Sequence, residues 1–195
     1  MAWEQLVTAC SQQDIPTLVS LISLSFKAKS PPPSLEGWTV PTSIGGQAVL
    51  ALANLALSSP QTVSKALEND LLHLTENLEC WNPELQDPSL LLMHRICPSL
   101  HPLLKARIVN LTGFNGLRRM LRSVSPVKRL AALETCKSLF AGSDERKDKF
   151  LERDGGEAVL LLLSDGDLTT AKSALEAICE LMLVFLYVER GEHCT

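Results

Sequence analysis

The feature that most constrains this chain is a repeat. From the apolar stretch Val49 to Leu57, reading forward in steps of 42 residues returns apolar residues in register. One column holds Ala48, Leu90, Ala132 and Ala174, and the next holds Val49, Leu91, Leu133 and Leu175. A third holds Leu55, Cys97, Leu139 and Leu181, and a fourth Leu52, His94, Cys136 and Ile178. Self-similarity at a fixed period marks a stacked array, because one unit cannot bury its apolar face alone. Within each unit the apolar residues fall at helical spacing. The expectation is an all-α solenoid of about four repeats over residues 1–188, followed by a polar tail, 189–195.

Composition supports helices over sheets. The chain is 46% hydrophobic but only 5% aromatic, so its core is Leu, Ala, Val and Ile. Sandwiches lean instead on β-branched and aromatic residues. The longest apolar candidate, Ala174 to Val188, carries Glu176 and Glu180, which argues against a membrane span. The N-terminus lacks the basic start and apolar run of a signal peptide. Six cysteines show no Cys-x-x-Cys pair, and Cys97, Cys136 and Cys179 sit at apolar repeat positions. That usage fits a reducing compartment, cytoplasm or nucleus.

Punctuation divides the units. Met1 to Gln12 reads as a short helix, and Asp14 caps a second with Pro16 in its first turn. Ser30-Pro31-Pro32-Pro33-Ser34 ends it and opens an insertion at about 30–42. Trp38 in that loop is either an anchor to the body or a partner contact, and the rarity of exposed Trp favours the anchor. Ser43 starts a helix to about Leu57, Ser59-Pro60 the next, and Leu71 to Leu78 a third. Cys80 to Asp87 reads as a loop, with Asp87-Pro88 as cap and first-turn proline launching Leu90 to Ile96. Pro98 and Pro102 break that helix, Gly113 turns the chain, Ser125-Pro126 and Ser143 cap further helices, and the last helix runs from Leu168 to about Val188.

Each unit thus has a first helix, a short second helix and a longer third one, with Gly113 and Gly155 one period apart at the first turn. Glycine there permits positive φ and close helix approach. The pattern resembles armadillo repeats, with HEAT repeats the nearest relative. Asp14-Ile15-Pro16-Thr17-Leu18-Val19-Ser20-Leu21-Ile22 is similar to that family's second-helix motif. Ala51-Leu52-Ala53-Asn54-Leu55-Ala56 resembles its third-helix motif, and Arg153-Asp154-Gly155-Gly156-Glu157-Ala158 its turn into the second helix. The resemblance implies a non-enzymatic scaffold or adaptor that binds a protein partner along the third helices. In peptide-binding members a column of Asn there clamps the partner's backbone. At the 42-residue period this column reads Asn54, Ile96, Ser138 and Glu180, so only Asn54 matches.

Charge gives a second candidate. Residues 102–137 hold 8 basic and 1 acidic side chains, a net of +7, between flanks of −5 and −6. Lys105, Arg107, Arg118, Arg119, Arg122, Lys128 and Arg129 compose this island. It is either a solvated face, a site for an acidic or phosphorylated protein, or a nucleic-acid contact within 105–129. The absence of interleaved aromatics and the net charge of −4 count against nucleic acid. Catalysis has little support, because the four histidines are scattered and no nucleophile elbow, phosphate loop or HExxH occurs. His94 falls in a core column and reads as a core histidine. No cofactor or metal is expected. Leu183, Phe185, Leu186 and Tyr187 make the last helix apolar all round, where a terminal repeat needs a polar outer face. Self-association, a covering partner or a longer solenoid is therefore expected there.

Overall fold

The computed structural model describes residues 34–35, 38–39, 41–80, 82–152 and 154–191, with side chains described from Trp38 to Met182. The expected helices before residue 34 and the side chains of Leu183, Phe185, Leu186 and Tyr187 lie outside the described residues.

Two short strands come first, β1 (Ser34–Leu35) and β2 (Trp38–Thr39), paired antiparallel with Leu35 opposite Trp38. Among the described residues ten α-helices follow. They are α1 (Ile44–Ser58), α2 (Pro60–Ala66), α3 (Leu71–Glu79) and α4 (Pro83–Ile96), then a 3-10 turn at Cys97–Ser99. The remainder are α5 (Pro102–Thr112), α6 (Asn115–Leu121), α7 (Pro126–Phe140), α8 (Asp144–Leu151), α9 (Gly155–Leu162) and α10 (Leu168–Gly191). Three complete units are α2–α4, α5–α7 and α8–α10, and α1 is the third helix of the unit before them. The third helices α1, α4, α7 and α10 pack in sequence, each on the next. One continuous core runs from Ala48 to Leu181.

Side-chain caps and prolines set the boundaries. Ser43 accepts from the Gly46 amide, Asn82 from Glu84 and Ser143 from Arg146, satisfying first-turn donors. Pro60, Pro83, Pro102 and Pro126 each occupy a first turn, where the missing N–H is harmless. Most of the expected loop Cys80 to Asp87 is instead the start of α4. Asn82 is the cap, and Asp87 and Pro88 lie inside α4. Pro88 leaves the Glu84 carbonyl without its i+4 donor, and that oxygen faces the Cβ-less Gly46 of α1. A Cβ on Gly46 would sit 2.5 Å from it.

The two turn glycines divide the tasks expected of both. Gly113 has φ 53°, followed by Phe114 at 63°. In the next unit Asp154, not Gly155, takes positive φ (60°), while Gly155 packs its bare backbone on Phe150. Phe114 and Phe150 meet edge to face with centroids 5.0 Å apart, and Phe140 lies tilted against Phe150 at 5.2 Å.

Burial also corrects the register of the second unit by one residue. Ile96 is fully buried, whereas Arg95 is half-buried and donates to the Asn54 side-chain oxygen. The core column is therefore Leu52, Met93 and Cys136, all fully buried, and His94 leaves it. The groove-facing column reads Asn54, Arg95, Ser138 and Glu180.

Candidate functional site

The third helices line a groove. A cavity of about 590 Å³ opens between side chains of all four. Leu57 comes from α1, His94 and Arg95 from α4, Leu130 and Glu134 from α7, and Lys172 and Glu176 from α10. Leu57, Leu91, Val127, Leu130 and Ala131 give it an apolar wall, and Trp38 closes one part of it. A second cavity of about 280 Å³, with Lys137, Ser138 and Glu180, shares His94 and Glu134 with the first. The two make one trough along the third helices.

Polar groups on this trough are held in place. Arg95 donates to Ala53 O at 2.6 Å and to Asn54 Oδ1 at 3.2 Å, bridging α4 to the C-terminal part of α1. Ser173 donates to Glu134 Oε1 at 2.5 Å. Lys137 donates to Glu134 at 3.2 Å, Ser173 at 3.3 Å and Glu176 at 2.8 Å. Hydrogen bonding to Lys137 holds the Glu176 carboxyl below the usual carboxylate range. Burial lowers the His94 pKa, with the Glu134 charge opposing it and Arg95 adding to it. His94 thus lines the groove, and its place in a core column came from the one-residue slip.

The insertion is fastened to the same scaffold. Asp87, buried on α4, accepts from the Thr39 amide at 2.7 Å and pairs with Lys128 at 2.6 Å. Glu84 accepts from Thr42 at 2.7 Å and from the Ser43 amide at 3.0 Å. Burial works against the charged form of Glu84, yet these bonds outweigh it and lower its pKa. Trp38 packs against the core, as an anchor does.

The basic island separates into struts and open cations. Arg119 donates to Leu78 O at 2.5 Å, Glu79 O at 2.9 Å and Cys80 O at 3.0 Å, closing the C-terminus of α3. Arg129 forks onto Asp165 at 2.5 and 2.7 Å and donates to Ser123 and Val124 carbonyls, joining α7 to the turn before α10. Lys128 is held by Asp87, and Lys105 donates to Ser138 at 3.4 Å. Arg118 donates to Asn115 at 2.7 Å, while Arg107 and Arg122 stand exposed. Sequence reasoning missed the strut residue Arg146, buried and donating to Leu139 O and Ala141 O at the end of α7. Nothing in its local sequence distinguishes it from its neighbours Lys147 and Lys149.

Among the described residues no group of three or more His, Cys, Asp or Glu side chains is placed to hold a metal ion. The cysteines there are free, and burial pushes the Cys97 thiol up to about 12 and Cys136 higher still. Among the described residues no helix is long and apolar enough to cross a membrane. Exposed apolar residues occur along the chain, and α9 and α10 carry several of them. Leu175 is 55% exposed, whereas Val49, Leu90 and Leu133 in the same column are fully buried. Leu168 and Met182, seven residues to either side of Leu175 on α10, are exposed as well.

No protein-family model and no curated protein matches this sequence. Solved structures do. The chain is similar to the armadillo repeats only protein from Plasmodium falciparum, at 17% identity, over 91% of this chain and 77% of that one, with a TM-score of 0.75. A crystallised engineered protein superposes at 20% identity over 92% and 71% of the two chains, TM-score 0.70. A designed armadillo repeat protein in complex with the peptide (KR)4 does so at 19% identity over 92% and 73%, TM-score 0.66. The fold is an armadillo-like helical repeat, an all-α solenoid.

Proposed function

We propose that this chain is a non-catalytic protein-binding scaffold that takes an extended segment of a protein partner along its third-helix groove. The observation carrying this reading is the trough itself, where one cavity of about 590 Å³ draws side chains from four successive third helices. An apolar wall interrupted by fixed polar groups suits alternating side chains and a polar backbone. Asn54 supports the same reading, since Arg95 takes its carbonyl oxygen and leaves its amide N–H groups as donors. A chromosome-associated role through residues 105–129 has less support, because Arg119, Lys128 and Arg129 are engaged within the fold.

The test is affinity capture from cells with the intact chain, a Leu130→Glu/Ser138→Arg variant and an Arg107→Glu control. Loss of a partner with the first variant alone, at unchanged melting temperature, is expected. Equal capture by all three would sink the groove reading. The exposed stripe of Leu168, Leu175 and Met182 also favours self-association through α10, for which light scattering should show concentration-dependent mass.

A further inference from the structure

Away from the third-helix groove, the second helices α6 and α9 enclose a cleft of about 240 Å³ lined by Asn115, Arg118, Arg119, Arg122, Asp154 and Ala158. Three arginines and one aspartate line it, in a chain whose net charge is −4. Arg119 is clamped by the three carbonyls that end α3, so its position is fixed before any ligand arrives. Arg118 is tethered to Asn115 at 2.7 Å, and its Nε is buried with no hydrogen-bond partner among the described residues. Arg122 is exposed and makes no ion pair among the described residues.

We propose that this cleft binds a phosphate monoester carried on a protein segment, that is, a phosphorylated Ser, Thr or Tyr side chain. The planar guanidinium fork matches phosphate geometry, and a surplus of two positive charges complements a group carrying about −1.5 to −2 at pH 7. The volume suits one such group and not a continuous polyanion. This site uses different helices from the groove, so either can fail without the other.

The test is fluorescence polarisation with a labelled short peptide, Ala-Gly-phosphoserine-Gly-Ala, against its serine and glutamate counterparts, inorganic phosphate and a short single-stranded oligonucleotide. Saturable binding of the phosphopeptide, competed by inorganic phosphate, is expected, with the serine peptide weaker by about tenfold or more. Arg118→Gln/Arg122→Gln should abolish the preference while circular dichroism and melting stay unchanged, and Arg107→Gln should leave it intact. An Arg118→Lys/Arg122→Lys variant keeps the charge and should still lose most of the preference. Equal binding of the three peptides, tighter binding of the oligonucleotide, or the same loss with Arg107→Gln would overturn the assignment.

Discussion

Arginine does structural work here that its charge alone conceals. Arg119 and Arg146 terminate helices by donating to carbonyls left without intrahelical partners, and Arg129 ties the Ser123 and Val124 carbonyls of the loop before α7 while forking onto Asp165. Breaking a largely buried pair by removing one partner is costly, so Arg129→Ala should destabilise by about 2–4 kcal/mol in urea unfolding. Arg122→Ala, with nothing comparable to lose, should change stability by less than about 0.5 kcal/mol. Equal effects would refute the division into struts and open cations. His94 gives a pH signature. Its folded pKa is lowered by burial, so below about 6.5 the unfolded chain binds a proton that the folded chain resists. Its contribution is fully present above that pH and is lost as pH falls towards the lowered folded value. His94→Gln should flatten the stability profile in that window, and an unchanged slope would show that His94 does not contribute it. The sequence shows which residues are basic, but a strut depends on which carbonyl ends lie within reach of a long side chain. That distance, about 40 residues away along the chain for Arg119 and Glu79, is not written locally.

At the scale of elements, the period made most helices legible, because caps and prolines act within a few residues. Besides the turn at Asp154, the reading failed at α4. That helix begins at Asn82-Pro83, runs through Pro88, and shifts the following column by one. Two misfits in the strict 42-residue alignment, His94 in a core column and Ile96 in the Asn column, both vanish with that single shift. Helix packing adds a prediction. α6 crosses α3 so closely that a Cβ on Gly116 would lie 2.6 Å from Leu78 Cβ and 2.9 Å from its carbonyl carbon. Gly116→Ala should therefore cost about 1–3 kcal/mol by overpacking, despite its better helix propensity. Gly166→Ala, with open space around it, should cost far less, and chemical denaturation of the two variants compares them directly.

At the scale of the whole molecule, stacking leaves the last unit with a face that earlier units bury. Leu175 and Met182 are exposed where Leu133 and Phe140 are covered by α10's unit. A Leu168→Glu/Leu175→Lys variant should keep the melting temperature within a few degrees and lose concentration-dependent association, read by sedimentation. A collapse in stability would instead mean that these residues pack within the monomer. The groove was legible as a family expectation, but its composition was not, since Arg95 entered it only through the shifted register. The most direct measurement of the central reading is site-specific photo-crosslinking in cells. A benzophenone side chain is placed in turn at Ser138, in the groove, and at Val124, fully outside it. Crosslinks to a protein partner from Ser138 and not from Val124, lost on Leu130→Glu, are predicted. Partner crosslinks from Val124 with none from Ser138 would contradict the groove as the binding site.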